Sequence, residues 1–150
     1  MRLQRLYNPL VLWLLRSPLH GVMSNSTMLL TFTGRKSGRI YTAPVNYVRY
    51  GEDLLVVASK EHSWWKNLRG GAPVTVRVRR REMTGEAEAF EGEEAEEGLL
   101  AALRAVPAYR RYWKAELGED GVPKDPAALR PIAHENALVR VGNLTGAEPR

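Results

Sequence analysis

The chain has no cysteine among its 150 residues, which excludes a disulfide framework and any thiolate chemistry. Its three histidines, His20, His62 and His134, are scattered and lack metal-ligand spacing. A metal-free cytoplasmic protein is the expectation. Long apolar runs are missing too: the run PLVLWLL, Pro9 to Leu15, is far shorter than the roughly 20 residues that cross a bilayer. Arg16 closes that run and no small-residue cleavage pattern follows, so it does not read as a signal peptide. Internal repeats and low-complexity linkers are also absent.

Acidic residues are absent from the first fifty positions, which hold Arg2, Arg5, Arg16, Arg35, Lys36, Arg39 and Arg49. One end of the chain therefore attracts anions. The stretch from Glu82 to Glu97 is correspondingly acidic, so the net charge of +5 hides two opposed patches. A hydrophobic content of 44% and a length of 150 residues suit one globular domain with a real core.

Leu3, Leu6, Leu10, Trp13 and Leu14 recur at helical spacing beside arginines, with Pro9 as a kink. Residues 1–26 are thus expected to form an amphipathic helical segment, docked on the core or lying on an anionic membrane surface. From Thr27 the period changes to that of strands: TMLLTFT, YTAPVNYVRY and DLLVVAS, joined by GRKSGR and GE. In KEHSWWKNLRGGAP, Ser63 is a candidate cap for a short helix that Gly70, Gly71 and Pro73 end. Val74, Val76 and Val78 alternate with polar residues as a strand, MTGEAEAF returns as its partner, and NALVRVGNL closes the fold as another strand. The segment between them reads as helix packed through Leu99, Leu100 and Leu103 and divided at Pro107. About six mostly antiparallel strands with inserted helices make a small α+β barrel over residues 27–146, with 147–150 as a tail.

The loop GRKSG, Gly34 to Gly38, is the first candidate site. Its glycines let the backbone turn and expose N–H groups, and Arg35, Lys36 and Arg39 add charge beside them, a combination suited to phosphate or carboxylate. Neither a Walker loop nor a G-x-G-x-x-G unit is present. In SWWKNL, helical spacing puts Trp64 and Asn67 on one face and turns Trp65 toward Leu68 and Arg69. A flat aromatic beside an amide suits a planar heterocycle. Arginines 77, 79, 80 and 81 could track nucleic-acid phosphates, but alternating arginines on a strand more often form a solvated face, and the expectation is no nucleic-acid partner.

The order LLTFTGRKSGRIYTAPVNYV, LLVVASK, SWWKNLRGGAPVTVRV and VPAYRRYW resembles the deazaflavin-dependent nitroreductase and quinone reductase family, of the split β-barrel flavin-binding superfamily. The resemblance implies a split β-barrel and the cofactor F420, with FMN as the alternative. By position it implies that Arg35, Lys36, Arg39 and Lys60 hold the coenzyme's phosphate and polyglutamate tail. It further implies that Thr42, Ala43 and Pro44 lie against the deazaflavin, that Trp64 and Asn67 complete its wall, and that Tyr109 and Tyr112 face the substrate. The implied reaction is hydride transfer from reduced deazaflavin to a quinone, nitroaromatic or activated double bond, with the tyrosine hydroxyls meeting charge that develops on oxygen. A storage protein on the same fold, binding a flavin, deazaflavin or fatty acid without turnover, is the alternative, and a homodimer is compatible with the superfamily. Two departures stand out: the link before the tryptophans is only Glu61-His62-Ser63, and Arg110 and Arg111 make the tyrosine segment basic.

Overall fold

The computed structural model describes residues 27–78 and 81–146; the expected N-terminal helix and its membrane contact, Arg79, Arg80 and the tail lie outside the described residues. Among the described residues seven strands follow the order β1 (Thr27–Thr33), β2 (Ile40–Asn46), β3 (Val48–Tyr50), β4 (Asp53–Ser59), β5 (Ala72–Val78), β6 (Arg81–Phe90) and β7 (Asn136–Gly146). A 3-10 turn, Trp64–Leu68, precedes β5, and three helices separate β6 from β7: α1 (Glu93–Ala105), α2 (Pro107–Trp113) and α3 (Leu129–Glu135). No helix among the described residues is long and apolar enough to cross a membrane.

All strands pair antiparallel in one sheet of order β2-β1-β5-β6-β7-β4-β3. Seven strands stand where about six are expected, because YTAPVNYVRY breaks at Tyr47 into β2 and β3. These two strands form the opposite edges of the sheet, yet a single residue joins them. A flat seven-stranded sheet could not satisfy that link, since neighbouring strands lie about 4.8 Å apart. The sheet must curl until its edges nearly meet, which makes a split barrel. Pro44 is tolerated because, among the described residues, β2 pairs on one side only.

Alternation fills the interior: Met28, Leu30 and Phe32 of β1, Val74, Val76 and Val78 of β5, and Ala137, Val139 and Val141 of β7 all point inward. Strand β4 is buried on both faces. Leu54, Val56 and Ala58 enter the barrel, while Leu55 packs with Leu99, Leu103 and Ile132 beneath the helices. Leu100, grouped with those residues by the sequence pattern, is only half-buried. Helix α1 approaches β7 at Gly98, where a Cβ would stand 1.9 Å from Leu138 Cδ2. Its first turn carries Glu93, Glu94 and Glu96, suited to the positive end of the helix dipole. Pro107 opens α2 as its first residue.

Candidate functional site

A cleft of about 820 Å³ opens between the β1–β2 hairpin and the 3-10 turn, a size that suits a cofactor. Its back wall is aromatic. Phe32 stands 5.9 Å from Trp64 and 5.7 Å from Tyr41, ring centre to ring centre. Thr42 and Ala43 of β2 continue this wall, and the rim carries four cations, Arg35, Lys36, Lys66 and Arg69. No carboxylate lines the cleft among the described residues, although the chain holds 17 acids. Such a lining recruits anions and offers apolar faces to a planar ring.

Local chemistry explains how the pieces are held. The hairpin loop closes through Gly34 N–H to Arg39 O at 2.8 Å and Gly38 N–H to Gly34 O at 2.9 Å. Gly38 takes a φ of 71°, the left-handed region that glycine adopts freely. Gly34 has no room for a side chain, since a Cβ there would lie 2.7 Å from the Tyr41 ring. The Arg35 amide donates to Asn67 Oδ1 at 2.9 Å, and the Arg39 amide to Ser37 Oγ at 3.1 Å. The loop is expected to expose N–H groups, and four of them, on Gly34, Arg35, Gly38 and Arg39, are already bonded. Three of these bonds close within the loop and the fourth reaches Asn67, which leaves the Lys36 and Ser37 amides among the described residues of Gly34–Arg39, so the side-chain cations carry most of the loop's attraction for anions.

Trp65 and Leu68 enter the barrel at 1% and 0% exposure, while Trp64 and Asn67 stay half-buried on the cleft side. The split face read from SWWKNL is therefore present, but as a five-residue 3-10 turn in which Ser63 makes no side-chain cap. Asn67 Nδ2 donates to Trp64 O at 2.9 Å, and Trp65 Nε1 to His62 O at 2.7 Å. The short Glu61-His62-Ser63 link turns back on Ser59, whose oxygens accept from Glu61 and His62. His62 and Ser63 thereby join the cleft wall.

A family model described as F420H(2)-dependent quinone reductase matches residues 18–116. The chain belongs to the F420H2-dependent quinone reductase family. It is accordingly an oxidoreductase that passes a hydride from reduced F420 to a quinone. Two solved structures share the split-barrel fold. One is an F420-H2 dependent reductase, FDR-A, 24% identical over 77% of this chain and 93% of that one, with a TM-score of 0.52. The other, described as a domain-swapped dimer, is 24% identical over 77% of this chain and 79% of its own, also at 0.52. No protein of curated function matches the chain.

Of the residues expected to serve the quinone reductase, Arg35, Lys36, Thr42, Ala43, Trp64 and Asn67 converge on the cleft. Arg39 is exposed beyond its lining, and Pro44 sits further along β2. Lys60 also lies outside the lining and faces Glu91 Oε1 at 3.6 Å. Tyr109 is 1% exposed beneath the helices, where its hydroxyl accepts from Asn46 Nδ2 at 2.8 Å. Burial pushes the Tyr109 phenol up to about 12, against the smaller opposing effect of the Asn46 bond. Tyr112 is 49% exposed, and neither tyrosine lines the cleft. Arg110 is also turned away, its guanidinium bonding the last carbonyls of α1 at Leu103 and Arg104. Phe32, Tyr41, His62, Lys66 and Arg69 line the cleft without being assigned to it by the sequence pattern. Four of them, Phe32, Tyr41, Lys66 and Arg69, lie within the stretches that carry the family resemblance, and His62 lies in the short link between two of those stretches.

Proposed function

We propose that this cleft is where the quinone reductase holds F420, the deazaflavin against Trp64, Thr42 and Ala43 and the anionic tail along Arg35 and Lys36. The observation that carries the reading is the pairing of an aromatic wall with four cations and, among the described residues, no carboxylate. That donor set fits a planar ring joined to a phosphate and several carboxylates. Arg39 and Lys60 stand outside the lining, so they act on the tail at longer range, and Pro44 stiffens the strand under the ring. Asn67 serves the site by fixing the hairpin loop on the 3-10 turn.

Bound reduced deazaflavin supplies the hydride. The protein's own part is to fix the ring's orientation, exclude water from its face and place polar hydrogens near the acceptor. Tyr109 and Tyr112 belong to the acceptor side of this proposal: Tyr109 is tied through Asn46 to the end of β2, the strand that carries Thr42 and Ala43. Among acceptors, quinones rank ahead of nitroaromatics and activated double bonds because the family is one of quinone reductases. FMN, with a single phosphate, uses the four cations less fully.

Fluorescence titration with oxidised F420 beside FMN, followed by reduction assays with each acceptor class, tests the reading. Tight F420 binding and quinone turnover are expected; binding of FMN alone would overturn it. Self-association is supported by the neighbour described as a domain-swapped dimer and by Ile40, 60% exposed on the edge strand β2. Light scattering of the purified chain checks it. A cytoplasmic enzyme, with residues 1–26 touching the inner face of the membrane, completes the proposal, and co-sedimentation with anionic vesicles tests that contact.

A further inference from the structure

Glu91 lies just outside the cleft and holds two cations at its border. Arg69 Nε donates to Glu91 Oε2 at 2.9 Å and Lys60 Nζ stands 3.6 Å from Oε1. The Arg69 guanidinium also lies over the Trp65 ring, 5.0 Å from its centre, and its backbone bridges Ala89. Arg69 is thus fixed in place with its Nε committed, and its two Nη groups are left to meet a ligand in the cleft it lines. The same guanidinium holds the Glu91 carboxyl below the usual carboxylate range, so Glu91 is charged at neutral pH.

We infer that Glu91 acts as an internal competitor for the anionic tail of the coenzyme, and so sets how long the coenzyme stays bound. This rests on the cleft being the F420 site. Hydride transfer leaves oxidised F420 in the cleft, and a separate F420-reducing reaction must regenerate it, so each turnover requires exchange. A rim of unopposed cations would slow that exchange. Glu91 offsets part of their field while leaving the aromatic wall untouched, so it acts on the tail and not on the ring.

The test is Glu91→Gln, with Glu91→Ala as a second variant, titrated with polyglutamylated F420 and with the deazaflavin alcohol that lacks phosphate and tail. Both variants should bind F420 about fivefold more tightly, the scale of one partly exposed ion pair, mainly through slower dissociation in stopped flow. The gain should shrink as ionic strength rises from about 0.05 M to about 0.5 M. The tail-free alcohol should bind all forms equally, and Glu91→Gln should lose its effect in an Arg69→Gln, Lys60→Gln background. Unchanged or weaker F420 binding, or equal tightening of the alcohol, overturns the inference. Wild-type protein that binds neither ligand removes the cleft assignment itself, and this inference with it.

Discussion

The backbone amide of Arg35 donates to the side-chain carbonyl of Asn67 across 2.9 Å, joining two segments 32 residues apart in the chain. The amide nitrogen of Asn67 donates in turn to Trp64 O. One side chain thus sets the distance between the cationic loop and the aromatic wall.

Asn67→Ala removes both bonds at a half-buried position, and a loss of about 1 to 2 kcal/mol in stability is expected from two ordinary hydrogen bonds. Urea denaturation measures that loss. F420 affinity should fall by more than the stability change explains, because Arg35 is then free to drift from Trp64. A variant of reduced stability and unaltered affinity would show that the loop holds its place without Asn67.

Lys36 and Arg39 separate the geometry from simple charge counting. Both belong to the same basic loop, but Lys36 lines the cleft and Arg39 does not. Lys36→Ala should weaken F420 by about tenfold, the scale of a direct charge-assisted contact. Arg39→Ala should change it far less at moderate salt, where screening limits action at a distance. Equal effects in the fluorescence titration would mean that net charge, not position, governs binding.

Much of this arrangement is legible in the sequence, for identifiable reasons. Period-two patterns in TMLLTFT and VTVRV reveal strands because one face must be buried, and the spacing of Trp64 and Asn67 reveals their common face. The break at Tyr47 is invisible because both halves of YTAPVNYVRY favour strand, and only pairing with different partners separates them. The bond of the Arg35 amide is hidden as well, since it depends on Asn67 arriving from elsewhere. Tyr109 lies in the motif that resembles the family's acceptor segment, but its partner Asn46 is 63 positions away. Tertiary packing alone decides that contact.

Gly98 limits how closely α1 can sit on β7. With the Cβ of Gly98→Ala 1.9 Å from Leu138 Cδ2 and 3.1 Å from Cγ, the helix or the leucine must move within a packed layer. Overpacking of this kind costs about 1 to 3 kcal/mol, even though alanine is the better helix former. A lower thermal midpoint is expected, with F420 affinity almost unchanged because the helix layer stands apart from the cleft. A raised midpoint would show that Leu138 yields at little cost.

Tyr109 gives the fold an alkaline weakness. Its phenol is pushed up to about 12 by burial in the folded chain, while the unfolded phenol releases its proton near about 10. Between those values the unfolded state binds fewer protons than the folded one, so stability falls as pH rises. The contribution is intact below about pH 10, and about 2 to 3 kcal/mol is lost by about pH 12. Tyr109→Phe should be less stable near neutrality by about 1 to 3 kcal/mol, because the Asn46 amide loses its buried acceptor. Its stability should nevertheless fall less steeply than wild type above pH 10, and denaturant midpoints across the alkaline range measure the difference. Parallel slopes would place the Tyr109 hydroxyl in contact with water. The same variant tests the proposed acceptor-side role of Tyr109, which lies outside the cleft lining: a lower kcat with no shift of the pH profile below about pH 10 is expected, and a wild-type kcat would remove that role.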